Sequence, residues 1–380
     1  MSARVAWVSA DRAIHLLEPD GVRRQLTGLA DESVMWASWG AAKQAPASHT
    51  WPTFSPDGRW VAAFEITAER GSVLVTDLEG VQSSVVIELP DQLPIYLQWS
   101  GDGERIAVVS QLRDDLLLTV GRVDGRSPQK VLAKGSPLFF TWTDDGRVAT
   151  FIGGGSPNAR MMLLDPEMRR ATEVMPGIPG DFCAPVQVGD TLFYGAHDNG
   201  VGSIMAFRDG QPVRPLPGGD GLMAFVASPD GTRLARAVAP AGDGTPYQSL
   251  SVIDIATGEE HLVVRMECLA FLWAGDDGLV VARVDSDRGL VEWVRVDLSG
   301  HQTHLIDLLP SRDMRFYLRF FEQYASSHPI VDPSGRHLLL AGIVRGRGSG
   351  SRVWRVPIRG GEPEDIGDGR FAAFGPELRN

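Results

Sequence analysis

The chain alternates short apolar runs with polar turns, and the runs are too short for anything but strands. Trp51-Pro52-Thr53-Phe54 leads into Ser55-Pro56-Asp57-Gly58, and Trp60-Val61-Ala62-Ala63-Phe64 follows. Pro presets φ at the second turn position, Asp closes its own turn and Gly takes the left-handed position, so each such unit predicts a tight hairpin. The turn recurs intact as Ser228-Pro229-Asp230-Gly231. Weaker copies stand at Ser100-Gly101-Asp102-Gly103, Thr143-Asp144-Asp145-Gly146, Gly275-Asp276-Asp277-Gly278 and Asp332-Pro333-Ser334-Gly335. The closing glycines are 45, 43, 85, 47 and 57 residues apart, and the gap of 85 leaves room for a degenerate copy at Val186 to Asp190.

A second ladder of turns runs out of phase with the first. It includes Glu18-Pro19-Asp20-Gly21, Asp77-Leu78-Glu79-Gly80, Val123-Asp124-Gly125, Asp165-Pro166-Glu167, Arg208-Asp209-Gly210, Asp254 to Gly258, Asp297 to Gly300 and Pro357 to Gly361. Two turns per unit separate four strands, and four-stranded units repeating every 40-odd residues are the pattern of propeller blades. Residues Arg4 to Leu26 supply three strands without an inner one, and Arg370 to Glu377 supply an inner strand and stop. Joining them predicts an all-β, eight-bladed propeller of four-stranded antiparallel blades with a three-plus-one closure, or seven blades if the termini do not join. The expected limits are blade 1 at 3–27 plus 370–377, blade 2 at 51–89, blade 3 at 95–133 and blade 4 at 138–175. Blade 5 takes 184–216, blade 6 takes 223–264, blade 7 takes 269–306 and blade 8 takes 328–366.

The S-P-D-G turn, the alternating strand after it and the later D-x-x-G turn resemble the TolB-like, WD-repeat-like propeller family over nearly the whole chain. That resemblance implies the fold and is silent about chemistry. The family includes periplasmic binding scaffolds and the non-catalytic propellers of serine peptidases. Neither a signal peptide nor a hydrolase domain is expected from this sequence.

Composition narrows the classes further. Gly and Pro are frequent, at 43 and 25 of 380 residues, and 43% of residues are apolar, enough for a full core. No apolar run approaches the roughly 18–20 residues of a membrane span, so direct membrane insertion is not expected. Two cysteines, Cys183 and Cys268, make neither a disulfide framework nor a four-cysteine zinc site, and a reduced cytoplasm is the expected setting. A net charge of −12 argues against nucleic-acid binding.

Two segments break the repeat, and function on a repeat scaffold concentrates at such breaks. Residues 30–50 carry Trp36, Trp39 and His49. Residues 310–327 read PSRDMRFYLRFFEQYASS, with Tyr317, Phe320, Phe321 and Tyr324 at the spacing of one helical face. Both are read as connections between blades that crowd one face over blades 7, 8, 1 and 2. Residues 310–360 hold nine Arg against three acidic residues, a surplus of six, which leaves −18 on the remainder. Trp36, Trp39, Arg315, Tyr317, Arg319, Phe320, Phe321 and Tyr324, with Arg345, Arg347 and Arg352 of the Arg-Gly-Ser loop, are the candidate partner contacts. The bland reading stands beside this one: an aromatic helix packed as a plug or lid, and a loop that is a solvated hairpin.

Catalytic signatures are sparse. There is no G-x-S-x-G elbow and no Walker A motif. The G-x-G-x-x-A spelling at Gly367 to Ala372 precedes a strand where a dinucleotide site needs a helix. His301 and His304 point to opposite faces of a presumed strand. His49 and His328 are the best histidine pair but lack a third ligand for zinc. The channel mouth, marked by His49, Trp51, Tyr96, Phe139 and His328, is aromatic and lacks the carboxylates of sugar or lactone enzymes. The expectation is therefore a scaffold with no catalytic residues, metal or cofactor, binding a protein partner, with the cytoplasmic face of a membrane complex among the options. The alternative is a channel that binds or transforms a small molecule, as in a hydrolytic or lactonase-type propeller.

Overall fold

The computed structural model describes residues 3–28, 47–68, 70–153, 159–168, 171–175, 178–179, 183–198, 201–208, 211–219, 221–239 and 246–377. Its strands are short and antiparallel. Ser48–Phe54, Trp60–Ile66, Arg70–Asp77 and Ser83–Pro90 form one four-stranded sheet in sequence order. Three more sheets repeat that order, beginning at Leu93–Trp99, Leu138–Trp142 and Leu222–Ala227. Between the last two lies a sheet built around the hairpin of Thr191–Asp198 with Val201–Arg208, whose inner position is divided between Ile178–Pro179 and Val186–Val188. The chain termini share a sheet. Val5–Val8 pairs with Ile14–Leu17 on one side and with Phe371–Phe374 on the other, in the register Val5 to Phe374 and Val8 to Phe371.

The repeated turn has a chemical cause that the structure makes explicit. Ser55 Oγ donates to Asp57 Oδ1 (2.6 Å), that oxygen accepts from the Arg59 amide (3.1 Å), and Ser55 Oγ accepts from the Trp60 amide (3.0 Å). Gly58 closes the turn at φ +67°, where an L side chain is strained. The same hydroxyl-to-carboxylate bond recurs at Ser100 and Asp102, Thr143 and Asp145, and Ser228 and Asp230. A further copy, Ser9 with Asp11, carries no glycine and was not legible as a repeat marker.

Neighbouring sheets are tied by a second device. Trp99 Nε1 donates to the Thr53 carbonyl (3.4 Å), Trp142 Nε1 to Gln98 (3.1 Å) and Trp273 Nε1 to Val226 (3.1 Å). Each Trp ends an inner strand, and each acceptor lies two residues before the turn of the preceding sheet. The indole thus satisfies a carbonyl that faces the neighbouring sheet. Apolar faces between the sheets supply the core, with Phe64, Phe140, Phe225, Phe271 and Trp293 fully buried.

The strand limits refine two sequence expectations. Ser48 to Thr50 belong to the inner strand and not to the insertion. They pair with Phe64 to Ile66, and the register shifts between Thr50 and Thr53, where Trp51 takes φ +56°. Residues 29–46, including Trp36 and Trp39, lie outside the described residues.

Candidate functional site

The second insertion leaves from inside an inner strand. Leu309 and Pro310 pair with Ile343 and Gly342, and the Ser311 amide donates to Ala341 (2.9 Å). After the insertion the same neighbour strand is rejoined, with the Leu339 amide donating to Ile330 (2.7 Å) and Val331 bridging Leu338. Because Gln302–Pro310 pairs on both sides, seven strands run from Ala270–Trp273 to Glu364–Asp368 as one sheet. The expected connection between blades is therefore an excursion from within a strand, which starts and ends at the channel wall.

The excursion forms two helices, α1 (Arg312–Arg319) and α2 (Phe321–Ala325). Ser311 caps α1, its Oγ accepting from the Met314 amide (3.0 Å), and Asp313 sits in the first turn. Phe320, at φ −126° and ψ 30°, interrupts the helix. The single helical face expected for Tyr317, Phe320, Phe321 and Tyr324 is consequently divided. Tyr317, Phe321 and Tyr324 turn into the channel and are at most 2% exposed, while Phe320 stays half-buried at the outer edge. This corrects the reading of those three aromatics as partner anchors: they have no surface to offer.

Successive residues of α2 and the segment after it fasten successive sheets. Glu322 Oε2 accepts from the Ala184 amide (3.4 Å). Gln323 forms a reciprocal pair with the Phe140 backbone, accepting from its amide (3.1 Å) and donating to its carbonyl (2.6 Å). Tyr324 Oη donates to Ile95 O (2.5 Å), and Thr53 Oγ1 donates to Ser327 O. Aromatic packing follows the same path. Trp51 and Tyr324 have ring centroids 4.6 Å apart, Tyr96 and Tyr324 5.0 Å, and Phe271 and Phe321 5.0 Å. These inner-strand edges point amides and carbonyls at the channel, and the plug supplies the partners they would otherwise take from water.

Both candidate histidines are absorbed by this packing. His328 is fully buried, Nε2 facing Trp51 O (3.2 Å) and Nδ1 facing Ser327 Oγ (2.7 Å), and burial lowers its pKa to about 3. His49 is 3% exposed. Its Nδ1 lies 3.2 Å from both Thr27 Oγ1 and Arg12 O, its Nε2 3.6 Å from Glu65, and burial lowers its pKa. Each ring is held neutral as a structural bridge. Trp51 and Tyr96 are buried with them, and of the expected mouth residues Phe139 alone is half-buried.

Glu322 is the one acidic group the plug carries into the channel. Burial pushes its pKa up to about 8, partly offset by the Ala184 amide and the Tyr247 hydroxyl, which donates to it at 3.4 Å. Cys183 and Cys268 are buried free thiols whose pKa values burial raises, the latter to about 12. Thiols held protonated in this way are poor nucleophiles.

The outward face of the plug is different in kind. Arg312, Arg315, Phe316 and Arg319 follow i, i+3, i+4, i+7 spacing and are exposed. None of the three guanidiniums forms an ion pair among the described residues, and Arg319 lies over the Phe320 ring at 5.5 Å. Beside them is a pocket of about 320 Å³ bounded by Ile95, Val109, Leu116, Phe139, Phe316 and Phe320. Sequence reasoning singled out Arg315, Arg319 and Phe320 but missed Arg312, Phe316 and the pocket, although the helical spacing of Arg312, Arg315, Phe316 and Arg319 carried the signal. The Arg-Gly-Ser loop is less available than expected. Arg347 pairs with Glu362 (2.6 Å) and Arg352 with Asp365 (2.5 Å), so Arg345 alone of that trio has no charged partner among the described residues.

One side-chain cluster has metal-ligand composition: Glu292, His304 and Asp307, with ligand atoms within 4.8 Å of one another. Arg283 pairs with Glu292 (2.6 Å) and Arg288 with Asp307 (2.7 Å), so two guanidiniums already supply the positive charge there.

No protein-family model and none of the curated proteins matches the sequence. Solved structures do match. The eukaryotic initiation factor structure is 11% identical, with 99% of each chain covered and a TM-score of 0.54. An oligogalacturonate lyase in complex with manganese is 14% identical over 91% of this chain and 82% of its own, at 0.52. The β-propeller domain of the Trilobed protease from Pyrococcus furiosus is 14% identical over 86% and 99%, at 0.50. This chain spans 62% of the matched TolB from Acinetobacter baumannii and 47% of a matched puromycin hydrolase. Identities this low speak to the fold and not to the activity. No helix among the described residues is long and apolar enough to cross a membrane. The chain folds as a β-propeller.

Proposed function

We propose that this chain is a non-catalytic propeller scaffold that binds a protein partner on the face carrying α1. The observation behind this is the outer face of that helix, where three unpaired arginines surround an exposed Phe316 beside an apolar pocket. Arginine and aromatic residues dominate binding hot spots, and unpaired guanidiniums on a chain of net charge −12 are a local reversal of sign. The face extends from the expected sector over blades 7, 8, 1 and 2 to blades 3 and 4, which contribute Ile95, Val109, Leu116 and Phe139. Arg315, Arg319, Phe320 and Arg345 remain contacts in this reading, joined by Arg312 and Phe316.

The sheets are read as eight blades near the limits expected from the repeat, with blade 2 beginning at Ser48 and the inner strand of blade 8 already begun at Leu309. The seven-stranded sheet counts as two of them, and the pair of Val5–Val8 with Phe371–Phe374 is the closure. The two free thiols fit a cytoplasmic setting. A channel enzyme is the weaker reading, since Trp51, Tyr96 and His328 lie buried against the plug and His49 is buried against Thr27 and Arg12. The test is affinity capture from the source cells with wild type and with Arg315→Glu/Arg319→Glu. A specific protein recovered by wild type and lost with the variant is expected. Identical recovery by both would refute this face as the binding surface.

A further inference from the structure

We infer that the partner docks an acidic segment on α1 and inserts one bulky apolar side chain into the adjoining pocket; the inference rests on the partner-binding reading and adds the chemistry of the occupant. Charge complementarity carries it. Arg312, Arg315 and Arg319 present three guanidiniums along one helix side, exposed and free of ion pairs among the described residues. The contrast lies on the last blade, where Arg347, Arg352 and Arg355 each meet a carboxylate of the adjacent chain. The acidic residues of the plug face elsewhere. Asp313 is turned to Arg370 (3.5 Å), and Glu322 is inside the channel. A basic segment would meet repulsion at α1 with nothing to offset it, whereas an acidic one is repelled by the rest of the surface and drawn to this helix.

The pocket supplies the second half of the argument. Its 320 Å³ is at the low end of the roughly 300–1,000 Å³ typical of ligand sites, which suits one large side chain better than an extended metabolite. Its walls are apolar and aromatic, and Phe316 stands between it and the arginines. An aromatic or large aliphatic anchor in the pocket, with carboxylates two to four residues away reaching Arg315 and Arg319, satisfies both features. The arrangement is an apolar core with a charged rim, as in other docking sites.

Three fluorescein-labelled dodecapeptides, titrated by anisotropy against the full chain, test this. One has a central Phe flanked by Glu and Asp, the second replaces that Phe by Ser, and the third replaces the acids by Lys. The acidic Phe peptide is expected to bind, and the Ser peptide to bind at least about tenfold more weakly. The Lys peptide should not bind. Arg315→Glu/Arg319→Glu should weaken the first peptide at least about tenfold, and raising salt should weaken it in wild type. Leu116→Trp, which fills the pocket from a half-buried strand position, should erase the Phe-over-Ser preference while a circular dichroism spectrum like that of wild type shows the fold intact. Preference for the Lys peptide, equal affinity for Phe and Ser, or no binding by any of the three would overturn the inference. If cellular capture still loses its partner with the arginine variant, the partner-binding reading survives that failure. If capture is unchanged as well, both fall.

Discussion

Gln323 is the residue through which the plug is most directly measurable. Its amide lies against the backbone of Phe140 as another strand would, with one bond to the N–H (3.1 Å) and one from the side-chain nitrogen to the C=O. Phe140 is 0% and Gln323 5% exposed, so neither freed group reaches water easily. Gln323→Leu keeps the volume approximately and leaves two buried backbone groups without partners, at about 1–3 kcal/mol each. The expected loss is about 2–6 kcal/mol. With an unfolding entropy of about 2.1 cal/mol/K per residue over 380 residues, that corresponds to a melting temperature lower by roughly 3–8 °C. Gln323→Glu sharpens the test. A protonated carboxyl reproduces both bonds, whereas a carboxylate accepts from the N–H but opposes the C=O. Its folded pKa is therefore raised, and its stabilising contribution, full below the unfolded carboxyl value, is lost as pH rises through the folded value. Scanning calorimetry of wild type and both variants between pH 4 and 8 should show Gln323→Glu near wild type at the acid end and near Gln323→Leu at the alkaline end. A Gln323→Leu protein melting within a degree of wild type, or a Gln323→Glu curve parallel to wild type, would refute the reasoning.

Three further outcomes follow from the same structure. Trp142→Phe leaves the buried Gln98 carbonyl without its indole donor and should cost about 1–3 kcal/mol in urea unfolding; Trp7→Phe, whose Nε1 has no hydrogen-bond partner among the described residues, should lose less, and the reverse order would count against the latch. The Asp230 carboxyl is held below its usual range by the Ser228 hydroxyl and the Thr232 amide, so it stabilises the fold above the unfolded value of 3.8 and that contribution is lost as pH falls through the folded value. Asp230→Asn should accordingly shrink the stability difference between pH 6 and pH 3, and an unchanged difference speaks against the turn chemistry. Glu322, raised by burial to about 8, favours the fold when protonated; Glu322→Gln should gain on wild type as pH rises from 4.5 to 8 and match it at the acid end, and parallel melting curves would contradict that assignment.

The repeat was legible because its turns are chemically demanding. A Ser hydroxyl, an Asp carboxylate and a left-handed Gly must coincide within four residues, so each hairpin left a mark at Ser55, Ser100, Thr143 and Ser228. The Trp latches were present as residues but not as a pattern, since their acceptors are backbone carbonyls of any residue type: Thr53, Gln98 and Val226. The plug was readable as helical, yet its break at Phe320 was not. Phe320 carries no Gly or Pro signal, and tertiary contacts at Tyr324 and Gln323 decide where the helix bends. The arginines of the last blade misled for a related reason. Charge counting along 310–360 sees Arg347 and Arg352 but not Glu362 and Asp365, which lie beyond that window and pair across the hairpin.

Plugging the channel changes where recognition can occur on this scaffold. A propeller's inner strands direct backbone donors and acceptors at the axis, and an open channel leaves them to water or to a ligand. Here Ala184, Phe140 and Ile95 spend those groups on Glu322, Gln323 and Tyr324 in turn, and the Thr53 hydroxyl donates to the Ser327 carbonyl. α2 and the segment after it are thereby fastened to neighbouring inner strands, and α1, which leads into α2 through Phe320, is seated by its own buried residues. Side chains on the outer surface of α1 project from that anchored backbone. Ordering a loop on binding costs roughly 0.5–1.5 kcal/mol for each immobilised side chain, and Arg312, Arg315 and Arg319 project from a helix whose backbone is already fixed by the buried Met314, Tyr317 and Leu318 between them. On the proposed partner-binding reading, a helix pinned from within and charged without would present a preorganised surface, and its outer face, more than the Gly-rich loop at 345–352, is where a partner's affinity should be sought.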